Sequence, residues 1–198
     1  EVQGPRGLEA LEATMHAIPE DVVIIGDAKR GDIGNTARMY AKSLFEYYQF
    51  DAVTVNPYQG SDAIQPFLDY EERGVFIWCR SSNPGAQDFQ DLEINGSLGK
   101  RRLYQKMAEA YQCWNTNDNI GLVVGATYPD ELKYLRTLCP RMPILIPGVG
   151  AQEGNLAAAV LAGTDTYGHF AVINSSRGVI YASQGSDYAA AARQKACL

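Results

Sequence analysis

Short apolar runs recur along the chain, and a longer stretch with helical periodicity lies between each pair of them. The runs are continuously apolar rather than alternating, which is typical of strands buried on both faces of a parallel sheet. Parallel neighbours need a crossover connection, which the intervening stretches can supply. The predicted strands are residues 22–25, 52–55, 75–79, 120–124, 144–146 and 171–173.

The intervening stretches carry apolar residues three or four positions apart, the spacing of an amphipathic helix. A first helix ahead of the strands shows this pattern in Leu8, Leu11 and Met15, and a Ser61 cap is expected to start the third helix. Strands that alternate with helices indicate the α/β class. The predicted helices are residues 4–17, 36–50, 62–72, 98–114, 129–138, 153–162 and 186–195.

Two α/β architectures fit this order, an open doubly wound sheet and a closed barrel of eight units. A polar or glycine-rich segment follows every predicted strand, in the order GDAKRGD, NPYQG, RSSNPG, GATYPD, PGVGAQEG and NSSRG. An open sheet usually concentrates its ligand loops near one switch point, whereas a barrel uses all of its strand ends around one mouth. The even spread of these segments favours a TIM-type β/α barrel.

A barrel of this type needs eight strands, and the pattern supplies about six, with a helix ahead of the first. We therefore expect residues 1–198 to form a single barrel domain that lacks its N-terminal portion. No linker, low-complexity segment or internal repeat indicates a second domain within these residues.

Composition narrows the class of protein. The 198 residues are 46% hydrophobic and 20% charged, which suits a globular domain with a sizeable core. A formal net charge of −6 argues against general binding to nucleic acid or membrane surfaces. No apolar run approaches the ~18 residues of a membrane span.

Cysteine and histidine usage argues against a metal site. The four cysteines are far apart and form no CxxC pair, a pattern that fits reduced thiols in the cytoplasm. Cys79 lies in an apolar run and is expected in the core rather than as a nucleophile. His16 and His169 are too far apart in sequence to indicate a histidine-based metal centre.

The segment after the first predicted strand concentrates charge. Asp27 and Lys29 are two residues apart, so on an extended strand end their side chains point the same way. Asp32 follows in the turn, where it could keep Lys29 charged or reach a neighbouring subunit. A surface salt-bridge cluster would give the same residues, but a position directly after a buried barrel strand favours catalysis.

Glycine-bearing polar loops after the last two predicted strands indicate a phosphate site. Gly148 allows close approach of the backbone, and Gln152 precedes a predicted helix N-terminus. Arg177, between Ser176 and Gly178, can bind a phosphate through two parallel hydrogen bonds. Tight turns that bind nothing are the alternative, but barrels often bind phosphate at this place.

The middle loops are less specific. NPYQG offers the amide of Asn56, and SSNPG offers the hydroxyl of Ser82 and the amide of Asn83, groups that can read a polar heterocycle. Each loop could equally be an ordinary turn rich in Asn, Pro and Gly.

The segment DAKRGDIGNTA resembles the signature of the orotidine 5'-phosphate decarboxylase family, whose core is Asp-x-Lys-x-x-Asp-Ile-Gly-x-Thr. NPYQG, SSNPGA, VVGAT, PGVGAQEG and NSSRG follow in the order of the longer, bacterial-type branch (type 2) of that family. The resemblance runs from about residue 1 to the C-terminus. It implies a β/α barrel that works as a homodimer without a cofactor and converts orotidine 5'-monophosphate to UMP and carbon dioxide in pyrimidine biosynthesis.

The resemblance also implies roles for individual residues. Lys29 would donate a proton to the ring carbon that loses carbon dioxide, and Asp27 would lie beside the substrate carboxylate. Asp32 and Thr36 would cross the dimer interface to the ribose of the partner's substrate, and Ser82 would read the pyrimidine edge. Further substrate contacts implied in this way are Gln152 and Arg177 at the phosphate, together with Ile33, Asn56, Asn83, Pro147, Gly148, Ser176 and Gly178.

One departure concerns the charged array of the family. The array includes a lysine on the second barrel strand and an aspartate after the first, and neither is present in this chain. Lys42 cannot replace that lysine because it falls inside the helix after the signature. Residues 1–198 taken alone are therefore expected to form an open and inactive barrel.

Two other functions stay open. A metal-dependent sugar-phosphate decarboxylase or synthase of the same superfamily would share Asp-x-Lys-x-x-Asp and use an enediolate intermediate. The DIGNT continuation and the serine-asparagine loop favour the nucleotide substrate instead. A non-catalytic phosphate-ligand binder, or an inactive fragment kept for its dimer surface, is favoured only by the missing lysine.

Overall fold

The computed structural model describes residues 2–96, 99–149 and 154–197. The chain divides into two compact units, Glu1–Val75 and Phe76–Leu198. The elements up to the division are α1 (Pro5–Ala17), β1 (Ile25–Arg30), α2 (Gly34–Lys42), a π-helical turn (Ser43–Tyr47), β2 (Ala52–Val55), α3 (Ser61–Leu68) and the first two residues of β3 (Gly74–Arg80). After β3 come a 3-10 turn (Pro84–Ala86), α4 (Gln87–Gln90), β4 (Glu93–Gly96), β5 (Gly99–Arg102), α5 (Leu103–Trp114), β6 (Ile120–Val124), α6 (Pro129–Leu138), β7 (Ile144–Ile146), α7 (Leu156–Gly163), β8 (Ala171–Ile173), α8 (Arg177–Ile180) and α9 (Tyr188–Ala196).

Parallel pairing organises the strands of each unit. In the first unit β1 pairs in parallel with β2, and Ile25 lies opposite Ala52. In the second unit the hydrogen-bonded order is β3-β6-β7-β8, and β7 is parallel to both of its neighbours. A separate antiparallel hairpin consists of β4 and β5. Within the described residues, the six strands that the sequence predicts are therefore present and joined by helices.

Each unit has an apolar core between its helices and strands. In the first unit α2 and α3 pack together, and the rings of Phe45 and Phe67 meet edge to face with centroids 6.5 Å apart. In the second unit Tyr111 is buried, and its hydroxyl donates to the carbonyl of Trp78 at 2.9 Å. The strands β2, β6 and β7 are buried throughout, which explains their continuously apolar sequences.

The predicted bounds of β2, β6, β7, β8 and α6 agree with the structure. The apolar runs of these strands coincide with their hydrogen-bonded lengths, so composition alone delimits them. Pro129 at the first position of α6 suits its fixed φ, and the helix buries Leu132 and Leu135 as helical spacing requires.

The predicted strand 22–25 is wrong in position. The strand β1 runs instead over Ile25–Arg30, and Val22 and Val23 ahead of it are 49% and 70% exposed. At these two positions the apolar run marks neither burial nor a strand. The strand continues through the charged residues 27–29 to Arg30, which pairs with Val55, and a search for apolar runs passes over this part.

The predicted helix 98–114 is wrong at its start. The helix α5 begins at Leu103, and Gly99–Arg102 pairs with Glu93–Gly96 as a hairpin. The hairpin residues are largely polar and exposed, so no apolar alternation reveals them. Leu98 itself lies outside the described residues.

Other helix ends differ by a few residues. Ser61 is the first residue of α3 and does not cap it, because the chain enters the helix through Gly60 with a φ of 95°. The helix α7 begins at Leu156, where the Asn155 side chain accepts the N–H of Ala158 at 3.0 Å. The predicted start of that helix, residue 153, lies outside the described residues.

The helices of residues 2–96, 99–149 and 154–197 include none with the length and apolar character of a membrane span.

Candidate active site

The end of β1 carries a bulge. Gly26 lies opposite Val53 and Arg30 lies opposite Val55, so residues 27–29 face a single residue of β2. Bulges of this kind occur at barrel rims and beside active sites, where they redirect side chains. We call residues 27–29 the β1 bulge.

The β1 bulge brings together two charged residues that the sequence singles out. The ammonium of Lys29 donates a hydrogen bond to a carboxylate oxygen of Asp27. The backbone of Lys29 has a φ of 51°, in the left-handed region that residues with side chains seldom adopt. The side chains of Lys29 and Asp27 are 46% and 63% exposed, so water screens the charges of the pair when the chain is alone. The pair is thus hydrogen-bonded and accessible, but it lacks the dry surroundings in which a fixed charge acts most strongly.

Thr54 on β2 holds this pair, and the sequence analysis missed it. Its side chain is fully buried, and its hydroxyl donates to Asp27 Oδ1 at 2.9 Å. The Thr54 hydroxyl oxygen in turn accepts the backbone N–H of Lys29 at 3.0 Å. The sequence signal that could have found Thr54 is a hydroxyl within the otherwise apolar run AVTV.

The other candidates of the first unit lie at a turn and at the start of α2. Asp32 accepts the N–H of Ile33 at 2.8 Å. The side chains of Ile33 and Thr36 are exposed. Asn56 accepts the N–H of Tyr58 at 3.0 Å, which forms a turn directly after β2. These side chains are accessible to a ligand or to a second protein chain.

The loop after β3 lines an open cavity of about 460 Å³ in the second unit. Two of its lining residues, Ser82 and Asn83, are predicted site residues. Thr127 donates a hydrogen bond from its hydroxyl to the carbonyl of Ser82 at 3.0 Å, which joins this loop to the one after β6. The lining residues that the sequence analysis missed are Pro84, Gln87, Thr127 and Tyr128.

A buried arginine orders the loop that lines this cavity. Arg80 is 1% exposed, and its guanidinium carbon lies 4.0 Å from the ring centroid of Tyr128. The guanidinium also lies 3.3 Å from the carboxylate of Asp91. The Gln90 side chain accepts the N–H of Ser81 at 2.9 Å and donates to the Ser81 hydroxyl at 2.9 Å. These contacts fix both the aromatic wall and the serine-bearing wall of the cavity.

The predicted phosphate residues lie on the loops after β7 and β8. The carbonyl of Pro147 accepts the N–H of Ala126 at 2.9 Å. Gly148 has a φ of 95°, a conformation that requires glycine, and Gln152 lies outside the described residues.

Ser176 and Arg177 after β8 are exposed, and Gly178 is half-buried in the short helix α8. A Cβ at Gly178 would lie 3.1 Å from the Ser175 hydroxyl oxygen, so the backbone there is packed closely. The exposed guanidinium of Arg177 is accessible to an anionic ligand.

The described parts of the chain were searched for clusters of metal-ligating side chains and for a reactive thiol. Residues 2–96, 99–149 and 154–197 contain no group of three His, Cys, Asp or Glu side chains that could hold a metal ion. Cys79 is 1% exposed, and burial raises the pKa of its thiol. Its predicted place in the core is confirmed, and a protonated buried thiol is a poor nucleophile.

Comparison with known proteins identifies the family of the chain. A sequence model described as "Orotidine 5'-phosphate decarboxylase / HUMPS family" matches residues 7–194. The chain is 46% identical over 196 residues to an orotidine 5'-phosphate decarboxylase of Dehalococcoides mccartyi, covering 99% of this chain and 73% of that protein. It is 52% identical over 190 residues to one of Delftia acidovorans, covering 96% and 69%.

Solved structures give the same result for the fold. An OMP decarboxylase of Leishmania donovani has a TM-score of 0.84 at 41% identity, covering 96% of this chain and 72% of that one. A UMP synthase of the same organism has a TM-score of 0.86 at 43% identity, covering 96% and 42%. The predicted TIM-type β/α barrel fold is therefore confirmed, with six of its eight strands among the described residues. The chain belongs to the orotidine 5'-phosphate decarboxylase / HUMPS family.

Proposed function

We propose that the chain, in a barrel completed by the lysine and the aspartate that residues 1–198 lack, catalyses the cofactor-free decarboxylation of orotidine 5'-monophosphate to UMP and carbon dioxide in pyrimidine biosynthesis. The observation that carries the proposal is the Asp27–Lys29 pair on the β1 bulge, in a chain 46% and 52% identical to named decarboxylases of this nucleotide. Those names also favour the nucleotide over a sugar phosphate as substrate.

The proposed chemistry needs a fixed positive charge. Loss of carbon dioxide breaks a carbon–carbon bond and leaves its electron pair on a ring carbon with no adjacent carbonyl to accept it. The ammonium of Lys29 stabilises that charge electrostatically and then transfers its proton to the carbon. Asp27 directs the ammonium by accepting its hydrogen bond and lies beside the carboxylate that leaves.

Exposure of the pair argues for additional cover during catalysis. A charge screened by water stabilises a carbanion less than the same charge in a closed site. We propose that the substrate and a second copy of the chain provide this cover in a homodimer. Asp32 and Thr36, with Ile33 between them, reach the ribose bound by the partner subunit.

Sedimentation velocity tests the homodimer, and a dimer is expected at assay concentration. A monomer at that concentration would rule out a shared site.

The strand-end loops of the proposed site contact the other groups of the substrate. Ser82 and Asn83 read the pyrimidine edge, and the cavity beside them has an aromatic wall. Asn56 lies beside the nucleoside. The proposed phosphate contacts are Pro147, Gly148, Gln152, Ser176, Arg177 and Gly178. Binding energy from this remote phosphate helps to hold the ring in the reacting position.

Replacement of Arg177 by alanine is expected mainly to raise KM. A guanidinium–phosphate contact is a charge-assisted hydrogen bond, and its loss corresponds to ~2–4 kcal/mol of binding free energy, or roughly 30- to 800-fold in KM. Steady-state kinetics measure the effect. Arg193→Ala on α9 is the matched control, since Arg193 is also exposed in the last part of the chain. An unchanged KM in the Arg177 variant would remove this residue from the phosphate site.

Release of carbon dioxide from carboxyl-labelled orotidine 5'-monophosphate tests the function directly. Turnover is expected of the completed barrel, and an excess of EDTA should leave its rate unchanged within about twofold, because Lys29 needs no metal to act as a general acid. Loss of activity with EDTA and its recovery with Mg²⁺ would favour the metal-dependent sugar-phosphate enzymes. Absence of any release would favour a non-catalytic binder.

We also propose a cytoplasmic location. All four cysteines are free thiols, and Cys113 and Cys197 are exposed, which fits a reducing compartment. Fractionation of the source cells checks this, and recovery in an oxidising compartment would contradict it.

A further inference from the structure

We propose that Thr54 is a positioning residue, whose buried hydroxyl holds the β1 bulge in the shape that joins Lys29 to Asp27. Its catalytic consequence rests on the function proposed above. The geometry itself does not, because it concerns three side chains and one backbone amide of the first unit.

The register of the first unit creates a requirement that Thr54 meets. Between the Gly26–Val53 and Arg30–Val55 pairs, three residues of β1 face one residue of β2. A regular ladder cannot serve three N–H groups from one opposing residue, so this part of β1 needs other hydrogen-bond acceptors. The N–H of Lys29 donates instead to the Thr54 hydroxyl at 3.0 Å.

The same hydroxyl fixes the carboxylate. Thr54 Oγ1 donates to Asp27 Oδ1 at 2.9 Å, while the Lys29 ammonium donates to the other oxygen, Oδ2. The contacts therefore form a closed circuit from the Lys29 backbone through Thr54 and Asp27 to the Lys29 side chain. One hydroxyl determines both where the backbone of Lys29 lies and where its ammonium is directed.

The backbone of Lys29 needs such support. Its φ of 51° is unfavourable for a residue with a side chain, and such conformations persist where surrounding contacts determine them. Thr54 is completely buried and β-branched, so its side chain has few rotamers and its hydroxyl direction is well defined.

Packing alone does not require a hydroxyl at position 54. The neighbouring residues Val53 and Val55 are apolar and fully buried, and valine has nearly the shape of threonine. A buried hydroxyl is costly unless it is hydrogen-bonded, and here both its donor and its acceptor capacity are used on the β1 bulge. We infer that the polar group serves the catalytic pair.

Three variants separate positioning from stability. Thr54→Val keeps the shape and removes the hydroxyl, Thr54→Ser keeps the hydroxyl, and Val53→Ala weakens the same strand without touching the pair. We expect Thr54→Val to lower kcat about 100-fold with KM changed less than about threefold, since displacement by about 1 Å can cost that much. Thr54→Ser should recover kcat to within about tenfold of the native protein. Val53→Ala should lower the melting temperature and leave kcat within about threefold.

Amide hydrogen exchange gives a second readout that does not depend on activity. In Thr54→Val the Lys29 amide should exchange at least about tenfold faster relative to the amides of β2, and Thr54→Ser should restore its protection. A Thr54→Val protein with native kcat, or with native protection at Lys29, would overturn the proposal. If the native protein released no carbon dioxide, the proposed function would fail, and exchange at Lys29 would still decide the role of Thr54.

Discussion

Replacement of Lys29 by alanine is expected to abolish turnover while leaving binding of UMP measurable. The variant loses the charge that stabilises the carbanion and the proton that quenches it. Proton transfer contributes roughly 10²–10⁴-fold and one electrostatic donor roughly 10²–10³-fold, so kcat should fall by at least about 10⁴-fold. Release of labelled carbon dioxide measures kcat, and isothermal titration measures UMP binding.

The fold should tolerate this change. The Lys29–Asp27 pair is substantially exposed, and exposed ion pairs contribute no more than about 1 kcal/mol to stability. Asp27 also keeps its hydrogen bond from Thr54. Lys42→Ala is the matched control, because Lys42 is an exposed lysine on α2 that pairs with Glu46 at 3.8 Å. A Lys29→Ala enzyme within about tenfold of native kcat would rule out Lys29 as the proton donor.

The sequence predicts the fold well wherever burial and secondary structure coincide. The apolar run of β6 is both buried on two faces and fully paired, so its bounds follow from composition. β1 does not obey this rule, because the strand continues through the charged residues of the site to Arg30. The predicted strand was therefore shifted toward Val22 and Val23, which are exposed. The functional end of a barrel strand is where apolar periodicity gives the least information.

The sequence likewise predicts only part of the candidate site. The spacing of Asp27 and Lys29 indicates a shared direction, and the structure brings these two together. Thr54 could not be assigned, because its role depends on the register between two strands rather than on its neighbours in sequence. Arg80, which contacts the cavity residue Tyr128, was missed for a related reason, since its partners come from several later segments.

Replacement of the buried Arg136 is expected to have the largest effect on the free energy of unfolding. Arg136 on α6 is 7% exposed and bears no carboxylate partner among the described contacts; its guanidinium is surrounded by main-chain carbonyls. Burial lowers the pKa of this guanidinium, so the carbonyl oxygens must offset its desolvation. They are Gly163 O at 2.7 Å, Phe170 O at 2.7 Å, Met142 O at 2.8 Å, Cys139 O at 3.0 Å and Pro140 O at 3.3 Å. The side chain thereby ties the end of α6 to the end of α7 and to the entries of β7 and β8.

Arg136→Met is expected to lower the free energy of unfolding by about 3–5 kcal/mol. Methionine fills much of the space but donates no hydrogen bond, and each buried carbonyl left without a donor costs about 1–3 kcal/mol, less where water or a neighbouring N–H replaces it. Urea titration followed by circular dichroism measures the change. Arg141→Met is the matched control, because Arg141 is 80% exposed and pairs only at the surface with Asp118, so about 1 kcal/mol or less should be lost. Equal stability of the two variants would mean that water satisfies the five carbonyls as well as the guanidinium does, and that α6, α7 and the strand entries are held by apolar packing alone.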